Sequence, residues 1–122
     1  MAWRFKSNLP LSSQIVERLR CDIISGIYEL GSPFPTVRSL AEEAAVNPNT
    51  MQKALCLLED EGLLVCQSTA VRTVTDDPDV IERARERATD MSIKALIDEA
   101  KRIGISRDLL IKKIEEDWCD GE

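Results

Sequence analysis

Polar side chains that can read or hold DNA cluster within one short stretch of this 122-residue sequence. Asn and Gln amides can bond bidentately to adenine, and Lys and Arg can reach guanine or phosphate. Hydroxyl groups and the first turn of a helix bind phosphate oxygens. The residues of this set, called the polar cluster below, are Thr36, Arg38, Ser39, Asn49, Thr50, Gln52 and Lys53. Each one alone is typical of a solvated surface, but together they indicate contact with a DNA major groove.

Two predicted helices separated by a short turn would position the polar cluster. Thr36 is a good N-cap for a first helix that ends near Ala45. Asn47 is a good N-cap for a second helix, in which Pro48 takes the first position and Glu61 lies near the end. An interval of about three residues is the length of the turn in a helix-turn-helix. The buried row predicted for the second helix is Met51, Ala54, Leu55 and Leu58.

Three further segments complete the predicted fold. An apolar i, i+4 row predicts a helix over residues 11–25, and alternating residues near 63–65 and 71–75 predict a β-hairpin. A long helix over residues 78–103 follows, and Gly104 and Ser106 separate it from a last short helix. The order of elements predicts a mostly α protein with a small α+β character, whose residues 1–76 form a winged helix-turn-helix domain. Residues 77–122 would form a two-helix C-terminal arm for dimerisation.

The arm predicts a homodimer, because two amphipathic helices cannot cover both of their apolar faces unaided. The alternative is that these helices fold back onto the first domain. The expected dimerisation residues are Ile81, Ala84, Ala88, Met91, Leu96, Leu110, Ile114 and Trp118. We expect no effector cavity in so small a region, and the sequence identifies no small-molecule effector.

Residue types that serve catalysis and metal binding are scarce. The sequence contains no histidine, which removes Ser-His-Asp and Cys-His arrangements and histidine-ligated metal sites. Its four cysteines, Cys21, Cys56, Cys66 and Cys119, form no Cys-x-x-Cys pair. We expect them to be half-buried packing residues, and the alternative is a thiol sensor or a soft-metal site. The sequence therefore predicts no enzyme activity, no cofactor and no resident metal.

Several segments together resemble the GntR family of bacterial transcription regulators. They are PLSSQI at residues 10–15, Gly31 with PTVRSLA at 35–41, VNPNT at 46–50 and LEDEGLL at 58–64. The segment AKRIGIS at residues 100–106 resembles the joint between the tail helices of the YtrA subfamily. The resemblance implies a homodimer that binds a double-stranded DNA operator with two related half-sites. It further implies repression of a nearby operon, such as one encoding an ABC transporter. Arg38 and the four polar residues of the second helix match the family's DNA contacts.

The predicted hairpin tip departs from the family pattern. The family usually has Gly-x-Gly-Thr followed by an aromatic residue and Val, whereas residues 69–74 here read TAVRTV. Without the glycines, close approach of the tip to a minor groove is not expected. Arg72 is the one charge left in this segment, and it is the candidate DNA contact of the wing. The alternatives are a weak contact with the DNA backbone or a hairpin that serves only for packing.

The formal net charge of −6 lies mostly in residues 76–122, which include the predicted arm and contain 14 acidic and 9 basic residues. This balance does not exclude DNA, but it predicts modest non-specific affinity and greater reliance on specific contacts. The sequence has neither an apolar run near the ~20 residues of a membrane span nor a secretory signal, which predicts a cytoplasmic protein without a membrane partner. The leading prediction is a sequence-specific DNA-binding repressor. The alternative is a protein-interaction module on a winged-helix scaffold that has lost DNA recognition.

Overall fold

The computed structural model describes residues 3–68 and 71–119, and this part of the chain contains five α-helices and one β-hairpin. The helices are α1 (Leu11–Ile24), α2 (Val37–Ala44), α3 (Pro48–Asp60), α4 (Pro78–Ile103) and α5 (Arg107–Asp117). The hairpin consists of β1 (Leu64–Ser68) and β2 (Val71–Val74). The predicted architecture, mostly helical with a small sheet, is confirmed. Thr69 and Ala70, which belong to the predicted hairpin tip, lie outside the described residues.

The chain divides into two compact units, Met1–Arg85 and Glu86–Glu122. The division falls inside α4, whereas the sequence placed a domain boundary between residues 76 and 77. The first turns of α4 therefore pack with the N-terminal unit, and the rest of α4 packs with α5.

The core of the first unit lies between α1, α2 and α3. Its largest fully buried side chains are Ile15, Leu19, Ile23, Met51, Leu55, Leu58, Leu63 and Val74. Leu40 and Ala44 contribute from α2. Gly62 follows the C-cap of α3 with a φ of +82°, a left-handed conformation that favours glycine. The chain reverses there, and the backbone N–H of Leu63 donates to the carbonyl of Leu58 at 3.1 Å.

One face of the hairpin carries buried residues from both strands. β1 and β2 are antiparallel, with Leu64 opposite Val74 and Cys66 opposite Arg72. Leu64 and Val74 are both buried in the core. Because side chains alternate along a strand, Cys66 and Arg72 share the core-facing side of the hairpin with them.

The second edge of β2 is also paired. The segment that connects α1 to α2, over residues 31–34, lies along this edge. The N–H of Phe34 donates to the carbonyl of Arg72 at 2.8 Å, and the N–H of Val74 donates to the carbonyl of Ser32 at 2.9 Å. The connector thus acts as a short third strand that fixes the backbone of β2 on both sides.

The N-terminal segment is held against the helices by the side chain of Trp3 and by hydrogen bonds from Gln14 of α1. Trp3 is buried, its indole N–H donates to Glu43 Oε2 at 3.1 Å, and the guanidinium of Arg18 lies 4.1 Å from its ring centroid. The side chain of Gln14 accepts from the N–H of Lys6 and donates to its carbonyl, both at 2.8 Å. The sequence did not predict this role for the segment.

The beginning of α4 belongs to the first unit through both apolar and polar contacts. Ile81 and Ala84 are buried. Arg85 Nη2 donates to the carbonyl of Ile24 at 2.6 Å, which places a cation at the C-terminal end of α1. A cation at this end interacts favourably with the helix dipole and with the unpaired carbonyls of the last turn.

The expected dimerisation residues of α4, which run from Ile81 to Leu96, do not form one continuous row on the helix. The step from Met91 to Leu96 spans five residues, and at 3.6 residues per turn this moves the row about 140° around the helix axis. Met91 is 73% exposed. The break in the row falls in the part of α4 that belongs to the second unit.

The second unit is a helical hairpin that joins the rest of α4 to α5. Gly104 ends α4 with a φ of +84°, and Ser106 Oγ accepts from the N–H of Leu109 at 3.2 Å to cap α5. A groove of about 360 Å3 lies between the two helices. Its apolar lining includes Ile93, Leu96, Ile97, Leu110, Ile111 and Ile114. The second unit therefore contains an apolar concavity between its two helices.

Within residues 3–68 and 71–119, no helix combines the length and the apolar character that crossing a membrane requires.

Leu55→Ala removes a fully buried side chain from the middle of α3 and should lower the free energy of unfolding by about 2–5 kcal/mol. Leu57→Ala is the matched control, because Leu57 lies on the same helix and is 42% exposed. We expect it to change the free energy of unfolding by no more than about 0.5 kcal/mol. Urea unfolding followed by circular dichroism measures both values. Equal losses in the two variants would contradict the packing of α3.

Candidate nucleic-acid interface

Both helices of the predicted motif begin with a side-chain cap. Thr36 Oγ1 accepts from the N–H of Ser39 at 3.1 Å, and Asn47 Oδ1 accepts from the N–H of Asn49 at 2.7 Å. Pro48 occupies the first turn of α3, where its missing N–H costs nothing. The caps fix where each helix starts, and each start carries the positive end of a helix dipole. The polar cluster therefore lies around two helix ends that favour phosphate.

A three-residue turn joins the two helices. Ala45 ends α2 in the left-handed region with a φ of 59°, which is uncommon for a residue other than glycine. The N–H of Val46 donates to the carbonyl of Ala41 at 3.0 Å. Asn47 then begins α3. The turn length predicted from the sequence matches this geometry.

The buried row of α3 decides which of its residues face outward. Met51, Ala54, Leu55 and Leu58 are all fully buried, as the periodicity predicted. Asn49, Gln52 and Lys53 are exposed, and Thr50 is half-buried. On α2 and its cap, Thr36, Arg38 and Ser39 are exposed. The structure therefore brings the seven residues of the polar cluster to the outer sides of α2 and α3, near their N-terminal ends.

The two cations of the polar cluster have no acidic partner among the residues that the structure describes. Arg38 and Lys53 form no ion pair with any residue in the described ranges, 3–68 and 71–119. Their charges are therefore available to a phosphate or to a base edge.

Two acidic residues of the motif, Glu43 on α2 and the C-cap residue Glu61 of α3, bind side chains from elsewhere in the chain. Glu43 accepts the indole N–H of Trp3. Glu61 binds Arg20 bidentately, with Nε and Nη2 at 2.9 and 2.6 Å from its two carboxylate oxygens. The hydrogen bonding of Arg20 to the carboxylate of Glu61 raises the pKa of Arg20 above its usual range. No local sequence pattern predicts either contact, because the partners are 40 and 41 positions apart.

The cation of the hairpin is turned toward α3. Arg72 Nε donates to Glu59 Oε1 at 2.5 Å, and its Nη2 lies 3.9 Å from Cys56 Sγ. The sequence predicts Arg72 as the DNA contact of the wing, but it does not predict Glu59 as its partner. Strand alternation does predict the direction of the Arg72 side chain. Arg72 lies two residues before buried Val74, so the two side chains point to the same side of the hairpin.

The four cysteines are all exposed, so the expectation that they are half-buried packing residues is wrong. Cys56 lies one helical turn after Gln52, whose Nε2 is 3.6 Å from its sulfur. The hydrophobic faces of α1 and α3 are complete without Cys21 and Cys56, since other residues fill the buried rows. Among the residues described, no group of three or more Cys, Asp or Glu side chains is arranged to hold a metal ion.

The predicted dimerisation residues differ in exposure. Ile81 and Ala84 are buried within the first unit. Met91 and Trp118 are 73% and 72% exposed, and Leu96 and Ile114 are exposed along the groove of the second unit. The remaining two, Ala88 and Leu110, are partly buried.

Two capped helices joined by a three-residue turn, an outward polar cluster and an attached hairpin define a winged helix-turn-helix DNA-binding protein. Comparison with known proteins agrees with this class. Residues 11–70 match the model of the gntR family of bacterial regulatory proteins. The HTH-type transcriptional regulator YhcF of Bacillus subtilis (strain 168) is 20% identical over 112 residues, which are 92% of this chain and 93% of that protein.

A second relative and a solved structure extend the comparison. The HTH-type transcriptional repressor YtrA of Bacillus subtilis (strain 168) is 37% identical over 59 residues, covering 48% of this chain and 45% of that protein. A GntR family transcriptional regulator from Listeria monocytogenes has a similar structure, with a TM-score of 0.84 and 28% identity. That similarity covers 93% of this chain and 100% of the Listeria chain. This chain belongs to the GntR family and is a transcription regulator with a helix-turn-helix DNA-binding domain. The predicted winged fold, family and YtrA subfamily are confirmed.

Asn47→Ala removes the cap of α3 and should lower the free energy of unfolding by about 1 kcal/mol. Asn47→Asp is the control, since a carboxylate oxygen can accept the same N–H from Asn49, and it should stay within a few tenths of a kcal/mol of the parent. Urea unfolding curves of the three proteins give the comparison. An alanine variant as stable as the parent would show that the Asn47 hydrogen bond does not hold the start of α3.

Proposed function

We propose that this chain is a homodimeric repressor that binds a double-stranded DNA operator with two related half-sites. In this proposal the start of α3 enters the major groove, and the start of α2 contacts the DNA backbone beside it. The observation that carries the proposal is the polar cluster, which lies outward on two capped helix starts and includes two cations without acidic partners in the described ranges.

The residues of the polar cluster divide into two roles by chemistry and position. Asn49 and Gln52 carry amides that can read adenine, so we assign them to base recognition. Arg38 and Lys53 supply charge for guanine or phosphate. The hydroxyls of Thr36, Ser39 and Thr50 lie close to helix N-termini and would bond phosphate oxygens.

The proposed dimer uses the second unit. The groove between α4 and α5 leaves aliphatic side chains exposed, and water contact with such a surface is unfavourable. We assign the interface to the six predicted residues outside the first unit's core, which are Ala88, Met91, Leu96, Leu110, Ile114 and Trp118. A second copy of the chain would cover the groove and place two recognition helices on the same duplex.

Our proposal for the regulated genes is based only on the resemblance to the family. The resemblance to the YtrA subfamily supports repression of a nearby operon, such as one encoding an ABC transporter. A regulator of bacterial genes meets its operator in the cytoplasm, which is where we place the protein.

Selection from a random DNA pool tests the proposal directly. We expect the full chain to enrich a sequence with two related half-sites, separated by about one helical turn or a multiple of it. Recovery of an intact dimer that enriches no sequence, even at low salt, would instead support a protein-interaction module.

Two substitutions in α3 should have different effects on operator binding. Lys53→Ala should weaken binding to all sequences and reduce the slope of log K against log salt by about 0.9. Gln52→Ala should reduce discrimination at one base position of each half-site by about 1–3 kcal/mol. Lys94→Ala is the control, because this exposed lysine belongs to the second unit. Salt titrations on operator and single-base variants give both quantities, and parent-like values for both α3 variants would refute the docking.

Leu96→Glu tests the dimer by placing a charge in the apolar groove. We expect self-association to weaken by about tenfold or more, because an unpaired carboxylate is costly to bury. Ala95→Glu is the control, since exposed Ala95 lies on the side of α4 that carries Asp98 and Arg102. Sedimentation equilibrium measures both constants. A dimer equally stable in the two variants would place the interface elsewhere.

A further inference from the structure

The hairpin has a single charged side chain, and that side chain is held by α3. Residues 63–75 contain one charged residue, Arg72. Its Nε lies 2.5 Å from Glu59 Oε1, and the side chains of Arg72 and Glu59 are only 12% and 26% exposed. The ion pair is therefore largely shielded from water, where it is screened less by salt than a surface pair.

The backbone around Arg72 also holds this arrangement in place. The carbonyl of Arg72 accepts the N–H of Phe34 at 2.8 Å, and neighbouring Val74 is buried. A second nitrogen of the guanidinium, Nη2, donates to Cys56 Sγ at 3.9 Å. To reach a phosphate, Arg72 would have to break its ion pair with Glu59. The half-buried carboxylate of Glu59 would then have no cationic partner, and an unpaired charge in such a place is unfavourable.

We infer that Glu59 is a positioning residue that withholds Arg72 from DNA and so limits the affinity of this regulator. The inference rests on the proposed function, in which α2 and α3 make the DNA contacts. With Arg72 paired to Glu59, the hairpin offers no free cation to the DNA backbone, and it serves to pack against α3. Glu59 thereby prevents one contact between the protein and a DNA phosphate. Such a contact would strengthen binding to every DNA sequence equally.

Glu59→Gln is the test, because it keeps the shape of the side chain and removes the charge that holds Arg72. We expect tighter binding to the operator and to random DNA by a similar factor, about threefold to tenfold, since a phosphate contact carries no sequence information. We also expect the slope of log K against log salt to steepen by about 0.9, the value for one added phosphate contact. Fluorescence anisotropy on both DNAs over a range of salt concentrations measures these changes.

Two control variants separate the release of Arg72 from a general change in charge. Glu61→Gln removes the same charge from the same end of α3, but its partner Arg20 keeps a second ion pair with Glu17 and is not released. It should leave the salt slope at the parent value. The double variant Glu59→Gln/Arg72→Gln has the parent's net charge and no cation in the hairpin, so it should bind like the parent. Circular dichroism of each variant checks that the fold is kept.

The outcomes distinguish this inference from the function on which it rests. A steeper slope in Glu59→Gln that is lost in the double variant supports it. An unchanged slope in Glu59→Gln, an equal change in Glu61→Gln, or a gain that persists in the double variant overturns it while the parent still binds its operator. A parent that selects no DNA overturns the proposed function, and the inference with it.

Discussion

Burial of one side of α3 is the constraint on which the rest of the structure depends. Its inner row is fully buried against α1 and the hairpin, so the helix cannot rotate about its own axis without exposing apolar surface. The cap at Asn47 fixes where the helix begins, and the left-handed Ala45 fixes how the chain enters it from α2. Apolar residues that would never touch DNA therefore determine which polar residues face it.

Local signals explain why most of the fold could be predicted from the sequence. The bounds of α2, α3 and α4 follow from Thr36, Asn47, Gly62 and Gly104, each of which acts within a few residues of its position. The same holds for the polar cluster, because the buried row of α3 leaves only one side for its amides and its lysine. Helix caps, glycine conformation and apolar periodicity are all properties of neighbouring residues, which a single sequence displays.

Two contacts that sequence patterns did not reveal depend on distant partners. Arg20 and Glu61 are 41 positions apart, and Trp3 and Glu43 are 40 apart, so nothing in either neighbourhood signals the contact. The number of cysteines does not determine whether their side chains are exposed. Larger aliphatic residues fill the buried rows of α1 and α3, so Cys21 and Cys56 lie outside those rows. Arg72 is a different case, since strand alternation does predict its direction once Val74 is taken as buried.

The pairing of residues 31–34 with β2 also bears on how this protein behaves when crowded. An unpaired strand edge is a template for another chain, and two-stranded sheets have two such edges. Here residues 31–34 cover one of these edges, and Pro33 pairs with Thr73 in an antiparallel bridge. Proline has no backbone N–H, so Pro33 cannot donate a hydrogen bond to a further strand. On that side of the hairpin the sheet therefore ends in a segment that resists strand addition. A regulator whose arm exposes an apolar groove benefits from such protection, because edge-to-edge aggregation would compete with a defined dimer.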